Sequence, residues 1–232
     1  MTPRNVLLDE SRIRETLDRL TRRIEERFPG SGLGRVSADV ATIGRETSDL
    51  LAYLRAPQWA VRLLVGSTVL AAVVVVVVLV STLQLPSGID GVATALQASE
   101  SLLNELVFLG VALFFLAGLE DRVKRKRALA SLHRLRSVAH IVDMHQLTKD
   151  PERVASPTPD TASSPERTLT VPELGRYLDY CSELLSVISK LAALHVQDFS
   201  DSVTLAAVND VETLCSGLSN KIWQKITLLE KH

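Results

Sequence analysis

Cysteine is almost absent from this sequence: Cys181 and Cys215 are the only two. They are too few and too far apart for a cysteine-built metal site. Both fall in helical patterns, and they read as small packing groups rather than as a disulfide. An excess of one charge is also missing, since 26 Lys and Arg face 27 Asp and Glu for a net charge of −1. A general nucleic-acid binder would carry a basic surface, so nucleic acid is not an expected partner. The strand alternation of a β protein is missing, as is any repeat in the solenoid range. Missing too are G-x-S-x-G, the P-loop, the dinucleotide glycine fingerprint and H-E-x-x-H. Gly30, Gly32 and Gly34 read as a flexible turn with no phosphate-binding context behind them. The chain is therefore not expected to be an enzyme, nor to hold a cofactor or a metal.

What it has instead is a long stretch without charge, Leu63 to Ile89, centred on the valine block Val73 to Val78. Wound as a helix, a run of about 20 apolar residues matches the ~30 Å hydrocarbon thickness of a bilayer. A second apolar segment, Leu106 to Leu119, is too short alone, but extended back to Glu100 it reaches spanning length. Glu105 lies inside it, about a turn and a half from its outer end by this reading. The expected fold class is therefore all-α: an integral membrane protein with two transmembrane helices and a cytoplasmic helical bundle. A re-entrant hairpin is the alternative for the second segment.

Lys and Arg set the expected orientation. Gln84 to Ser99 has neither, and its only charge is Asp90, whereas Arg122, Lys124, Arg125, Lys126 and Arg127 cluster beyond the second segment. By the positive-inside rule both termini are cytoplasmic in a cell (inner) membrane. The basic cluster then sits at lipid headgroups, with Trp59 and Tyr53 near the same boundary. The first apolar segment begins behind a polar, helical region, so it reads as an uncleaved start-transfer helix rather than a signal peptide.

The rest divides by its breakers. Ile13, Leu17, Leu20, Ile24 and Phe28 predict an amphipathic helix over 9–28; a second over 37–56 carries Val40, Ile43, Leu50, Leu51 and Leu54. Neither Gly nor Pro occurs between Gly118 and Pro151, so the second span should continue as a stalk bearing Leu129, Leu132, Leu135, Ala139 and Val142. Prolines crowd 151–172 and predict a mobile linker. Leu174, Tyr177, Leu178, Cys181, Leu184, Leu185, Ile188 and Leu191 mark one further helix. Val203, Ala207, Val211, Leu214, Leu218, Ile222, Ile226 and Leu229 mark the last. The short break between these two predicts an antiparallel hairpin. The expected organisation is N-terminal helices (1–56), first span (57–84), outer connection (85–99), second span (100–120), stalk (121–150), linker (151–171) and hairpin (172–232).

Three groups of residues invite chemistry. His133, His140 and His145 share one helix with Asp143, but not at the three- or four-residue spacing that brings two ligands to one zinc ion. Tyr177, Tyr180 and Trp223 lie among polar neighbours, which suits either a pocket or a solvated face. Gln97, Ser101, Asn104 and Glu105 fall on one broad side of the second span, with Phe108, Ala112 and Phe115 below. Repeated around a symmetric assembly, these would form an acidic vestibule above an apolar constriction, the composition of a dewetting gate. The plainer reading leaves Glu105 hydrated at the outer interface. The leading functional expectation is a homo-oligomeric membrane protein forming an ion-conducting or gated pore. The alternative is a membrane-anchored scaffold or adaptor whose cytoplasmic helices bind a partner protein. The expected partners are membrane lipid, further copies of the chain and a cytoplasmic protein.

Overall fold

The computed structural model describes residues 7–82, 89–149, 151, 162–163 and 169–230. Among these, every regular element is helical: α1 (Glu10–Arg27), α2 (Gly32–Arg55), α3 (Trp59–Thr82), α4 (Ile89–Ala117), α5 (Leu119–Leu147), α6 (Val171–Ala193), a 3-10 turn (Leu194–Val196) and α7 (Ser202–Glu230). The chain divides into two compact units, one of Met1–Ala56 with Arg125–His232 and the other of Pro57–Lys124. Most of the segment 151–171, read from the sequence as a linker, lies outside the described residues.

The first unit is a helical bundle whose core is drawn from all five of its helices. Each contributes an apolar face at helical spacing, and these faces are buried against one another. On α1 the face is Ile13, Leu17, Leu20, Ile24 and Phe28, all buried as the spacing predicts. Asp9 caps this helix, accepting from the Ser11 and Arg12 N–H groups. On α6, Leu178, Cys181, Leu184, Leu185 and Ile188 are fully enclosed. Thr170 and Glu173 close its first turn: the Glu173 carboxylate accepts from the Thr170 N–H at 2.8 Å and from its hydroxyl at 2.7 Å. Pro172 sits in that same turn, where its missing N–H is not needed.

Side-chain contacts give the directions of the helices. Leu8 meets Gln197, Arg23 meets Glu183 and Phe28 meets Tyr177, so α1 runs antiparallel to α6. Gly32 lies at His145 and Glu46 at Arg134, so α2 runs antiparallel to α5. Arg125 meets Asp201 and Lys225 meets the Gln146 carbonyl, so α5 and α7 run parallel. His195 meets Ser131 and Tyr177 meets Lys149, which sets α6 against α5 and makes α6 and α7 the antiparallel pair predicted.

The structure departs from the sequence reading at four points. Helix α2 begins at Gly32, five residues early, because Ser31 caps it by accepting from the Gly34 N–H at 3.0 Å. Gly32 and Gly34 are therefore helical, and only Gly30, with φ of 67°, has the left-handed backbone that favours glycine. Gly32 serves close approach, since a Cβ there would run into the His145 imidazole. The run from the second apolar segment into the stalk is interrupted at Gly118, between α4 and α5. Helix α4 also begins well before Glu100, at Ile89, because the Ala- and Leu-containing stretch after Gly88 favours helix whatever its distance from a bilayer. On α7, Thr204, Val208 and Cys215 are buried while Val203 is 46% exposed, so the inward face is turned by about one residue at its start.

The second unit contains α3, α4 and the first turns of α5. Beyond Arg62 helix α3 carries no charge, and among its described residues none is buried. At 1.5 Å per residue it is about 36 Å long. Its Val73, Val74, Val75, Val77 and Val78 are each at least half exposed, as are Phe108 and Phe114 of α4 at 74%. A core helix of similar composition would be covered by its own chain, and here none of the apolar window is. The protein thus has two helices long and apolar enough to cross a membrane.

Candidate functional site

Helix α4 carries the polar edge that the sequence singles out. Asn104 and Glu105 are exposed, and no described residue pairs with the Glu105 carboxylate. Phe108, Ala112 and Phe115 are exposed below them along the same helix. The side chains of Gln97 and Ser101 lie outside the described residues, although their backbone belongs to α4. Within one chain the edge encloses nothing. Any pathway along it needs walls from elsewhere.

The basic cluster, read as one headgroup-facing set, is distributed among separate partners. Lys124 is only 8% exposed and pairs with Glu120 at 2.9 Å. Glu120 also receives Arg62 at 2.9 Å and the Gln58 N–H at 3.2 Å, so one carboxylate ties the start of α3 to the start of α5. Arg122 lies over the Phe115 ring at 5.1 Å, and Arg127 stacks on Tyr53 at 3.9 Å. Lys126 is exposed. Arg125 donates from Nε and Nη2 to Asp201 Oδ1, at 2.9 and 2.6 Å.

Asp201 belongs to the short turn between the 3-10 element and α7, inside the break from about Gln197 to Asp201 that the sequence predicts between the last two helices. Its second oxygen accepts from the Thr204 N–H and hydroxyl, both at 2.9 Å, capping α7. Burial pushes the Asp201 carboxyl up, but the Arg125 guanidinium and the Thr204 donors outweigh it and hold the group below its usual value. Three residues earlier, Asp198 Oδ2 accepts from Arg55 Nε at 2.6 Å, and Glu10 lies 4.0 Å from the same guanidinium. The D-x-x-T pattern at Asp201 was a legible cap. Its pairing with an arginine 76 positions away was not.

His195 was also missed. It is fully buried, with Nδ1 3.0 Å from the Leu191 carbonyl and Nε2 2.9 Å from Ser131 Oγ. A carbonyl can only accept, so Nδ1 carries the proton and Nε2 accepts from the serine hydroxyl. Burial depresses the affinity of this ring for a second proton. The helix-borne histidines do not converge: His133 and His140 are exposed, while His145 is half-buried against Gly32. Among the described residues no three His, Cys, Asp or Glu side chains gather as metal ligands. Tyr177 and Tyr180 pack edge-on against Phe28, and Trp223 is 58% exposed, so no shared pocket joins these aromatics. Both cysteines are buried, and burial pushes their thiols up to about 12 and about 11. Compared with family models, curated proteins and solved structures, the chain matches none.

Proposed function

We propose that the chain is a two-span membrane protein that works as a homo-oligomer, with both termini and the helical bundle on the cytoplasmic side. In this reading the polar edge of α4 faces other protomers and lines an ion-conducting or gated pore. The observation that carries it is Glu105: exposed on an apolar helix, with no described residue pairing with it. A carboxylate costs roughly 3 kcal/mol at the centre of a spanning helix on insertion scales, and less at the depth of Glu105, unless it finds water or a partner. A neighbouring copy presenting the same edge supplies both, as a ring of Glu105 and Asn104 around a wet vestibule. Phe108, Ala112 and Phe115 then form the narrow apolar section below it.

Mass measurement in mild detergent tests the assembly. An oligomer is expected, and a clean monomer overturns the pore, because two helices enclose no pathway. Reconstituted liposomes should show cation flux, and Glu105→Gln should weaken the preference for cations. A second reading, a membrane-anchored scaffold that binds a cytoplasmic protein, draws on a different feature. Ile141, Met144 and Leu147 stand 41%, 66% and 61% exposed at the end of α5, an apolar strip on an otherwise polar helix face. An oligomer without flux at any voltage or pH favours this alternative.

A further inference from the structure

The chain leaves the bundle after Ala56 and returns at Arg125, and next to each crossing stands an arginine held by the same turn. Arg55, the last residue of α2, is held by Asp198; Arg125, in α5, is held by Asp201. Leu8 exchanges hydrogen bonds with Gln197 at the head of this turn, and Glu10 lies by Arg55, so the start of α1 joins the same cluster. We propose that the 197–201 turn is an electrostatic latch: it holds the ends of α2 and α5 at a set spacing, and its opening lets the two crossings move apart.

The two halves of the latch differ in strength. The Arg55 side chain is 47% exposed and Asp198 34%, so water and salt compete for this pair. Asp201 is only 8% exposed, accepts two bonds from one guanidinium, and stands at the N-terminus of α7, which favours its charge. The Arg55 half is the releasable one and the Arg125 half the anchor. Because the turn joins α6 to α7, a force that displaces that hairpin acts on both crossings together. This inference rests on contacts inside the bundle and does not depend on whether the assembly conducts.

Dipolar EPR on the full-length chain in lipid nanodiscs tests it, with nitroxides on Ala52→Cys and Lys126→Cys, both exposed positions. The two native thiols are buried and stay unlabelled in the folded chain. With labelled chains diluted in an excess of unlabelled ones, so that pairs within one chain dominate, the unaltered latch should give one narrow distance. Asp198→Asn with Asp201→Asn should lengthen and broaden it, since Asn at position 201 still caps α7 and only charge is lost. Arg134→Gln, which removes a different α2–α5 ion pair, should change it far less. Far-UV circular dichroism checks that the variants stay folded. Should they unfold, the unaltered chain in about 1 M salt replaces them, where the Debye length of about 3 Å weakens the Arg55 half and should broaden the distance. An unchanged distance overturns the latch, and so does equal broadening by Arg134→Gln.

Discussion

Arg125 and Asp201 meet through two bonds to a single carboxylate oxygen, which leaves the other oxygen to cap α7. One residue thus serves a helix terminus and a long-range ion pair at once. Asp201→Ala should cost about 2 kcal/mol, combining a lost cap with a lost charge-assisted pair. Asp201→Asn should cost about half as much, because the amide oxygen still accepts from Thr204. Thermal melts of the detergent-solubilised chain, read by circular dichroism, check the order. Equal losses would show that the pair, not the cap, carries the effect.

Acid should weaken the bundle through His195. Its folded-state proton affinity lies below the usual value of 6.5, so the unfolded chain takes up a proton that the folded chain resists. The stabilisation is complete above pH 6.5 and is lost as the pH falls below it. His145 acts in the same direction, lowered by burial and by Arg35 and Lys149. The melting temperature should therefore drop between pH 7 and pH 5, and His195→Gln should flatten part of that slope. A variant that keeps the full slope would assign it to other groups.

Glu120 holds two cations, one of them nearly buried. Glu120→Gln strands Lys124, which is 8% exposed, and should be more damaging than Lys124→Gln. Adding Lys124→Gln to Glu120→Gln should recover part of the loss. Unfolding midpoints of the three variants decide, and a strictly additive double variant would show that the two side chains do not interact.

Core and candidate-span positions should respond oppositely to truncation. Leu184 has no exposed surface, so Leu184→Ala should cost about 3 kcal/mol in lost burial and residual cavity. Val75 is 57% exposed on α3, and Val75→Ala should leave the melting of the bundle within about 0.5 kcal/mol of its original stability. Hydrogen exchange at α6 amides gives the comparison.

Thiol chemistry should be silent in the folded chain. With Cys181 raised to about 12 and Cys215 to about 11, almost no thiolate exists at pH 8, and both sulfurs are enclosed. A thiol reagent should modify neither until the chain is denatured, then both. Rapid modification of the native protein would show that the α6–α7 interface opens.

Periodicity alone located most of the helices and the buried face of α1, because an apolar side chain recurring every three or four residues leaves few other folds for a short segment. It failed where a backbone partner decided the matter. Ser31 recruited Gly32 and Gly34 into α2, and on α7 Thr204, bonded to Asp201, rather than Val203 faces inward. For the candidate site the sequence pointed to Asn104 and Glu105 through their setting in an apolar run, but it read Lys124, Arg125 and Arg127 by charge alone.

Composition and hydrophobic order, which are properties of neighbouring residues, sufficed to determine an all-helical chain with two long apolar helices. Which aspartate meets which arginine, and which histidine lies buried beside Ser131, depend on residues that are distant along the chain. Those meetings exist only once five amphipathic faces have packed together and brought Arg55, Arg125 and the 197–201 turn to one end of the bundle.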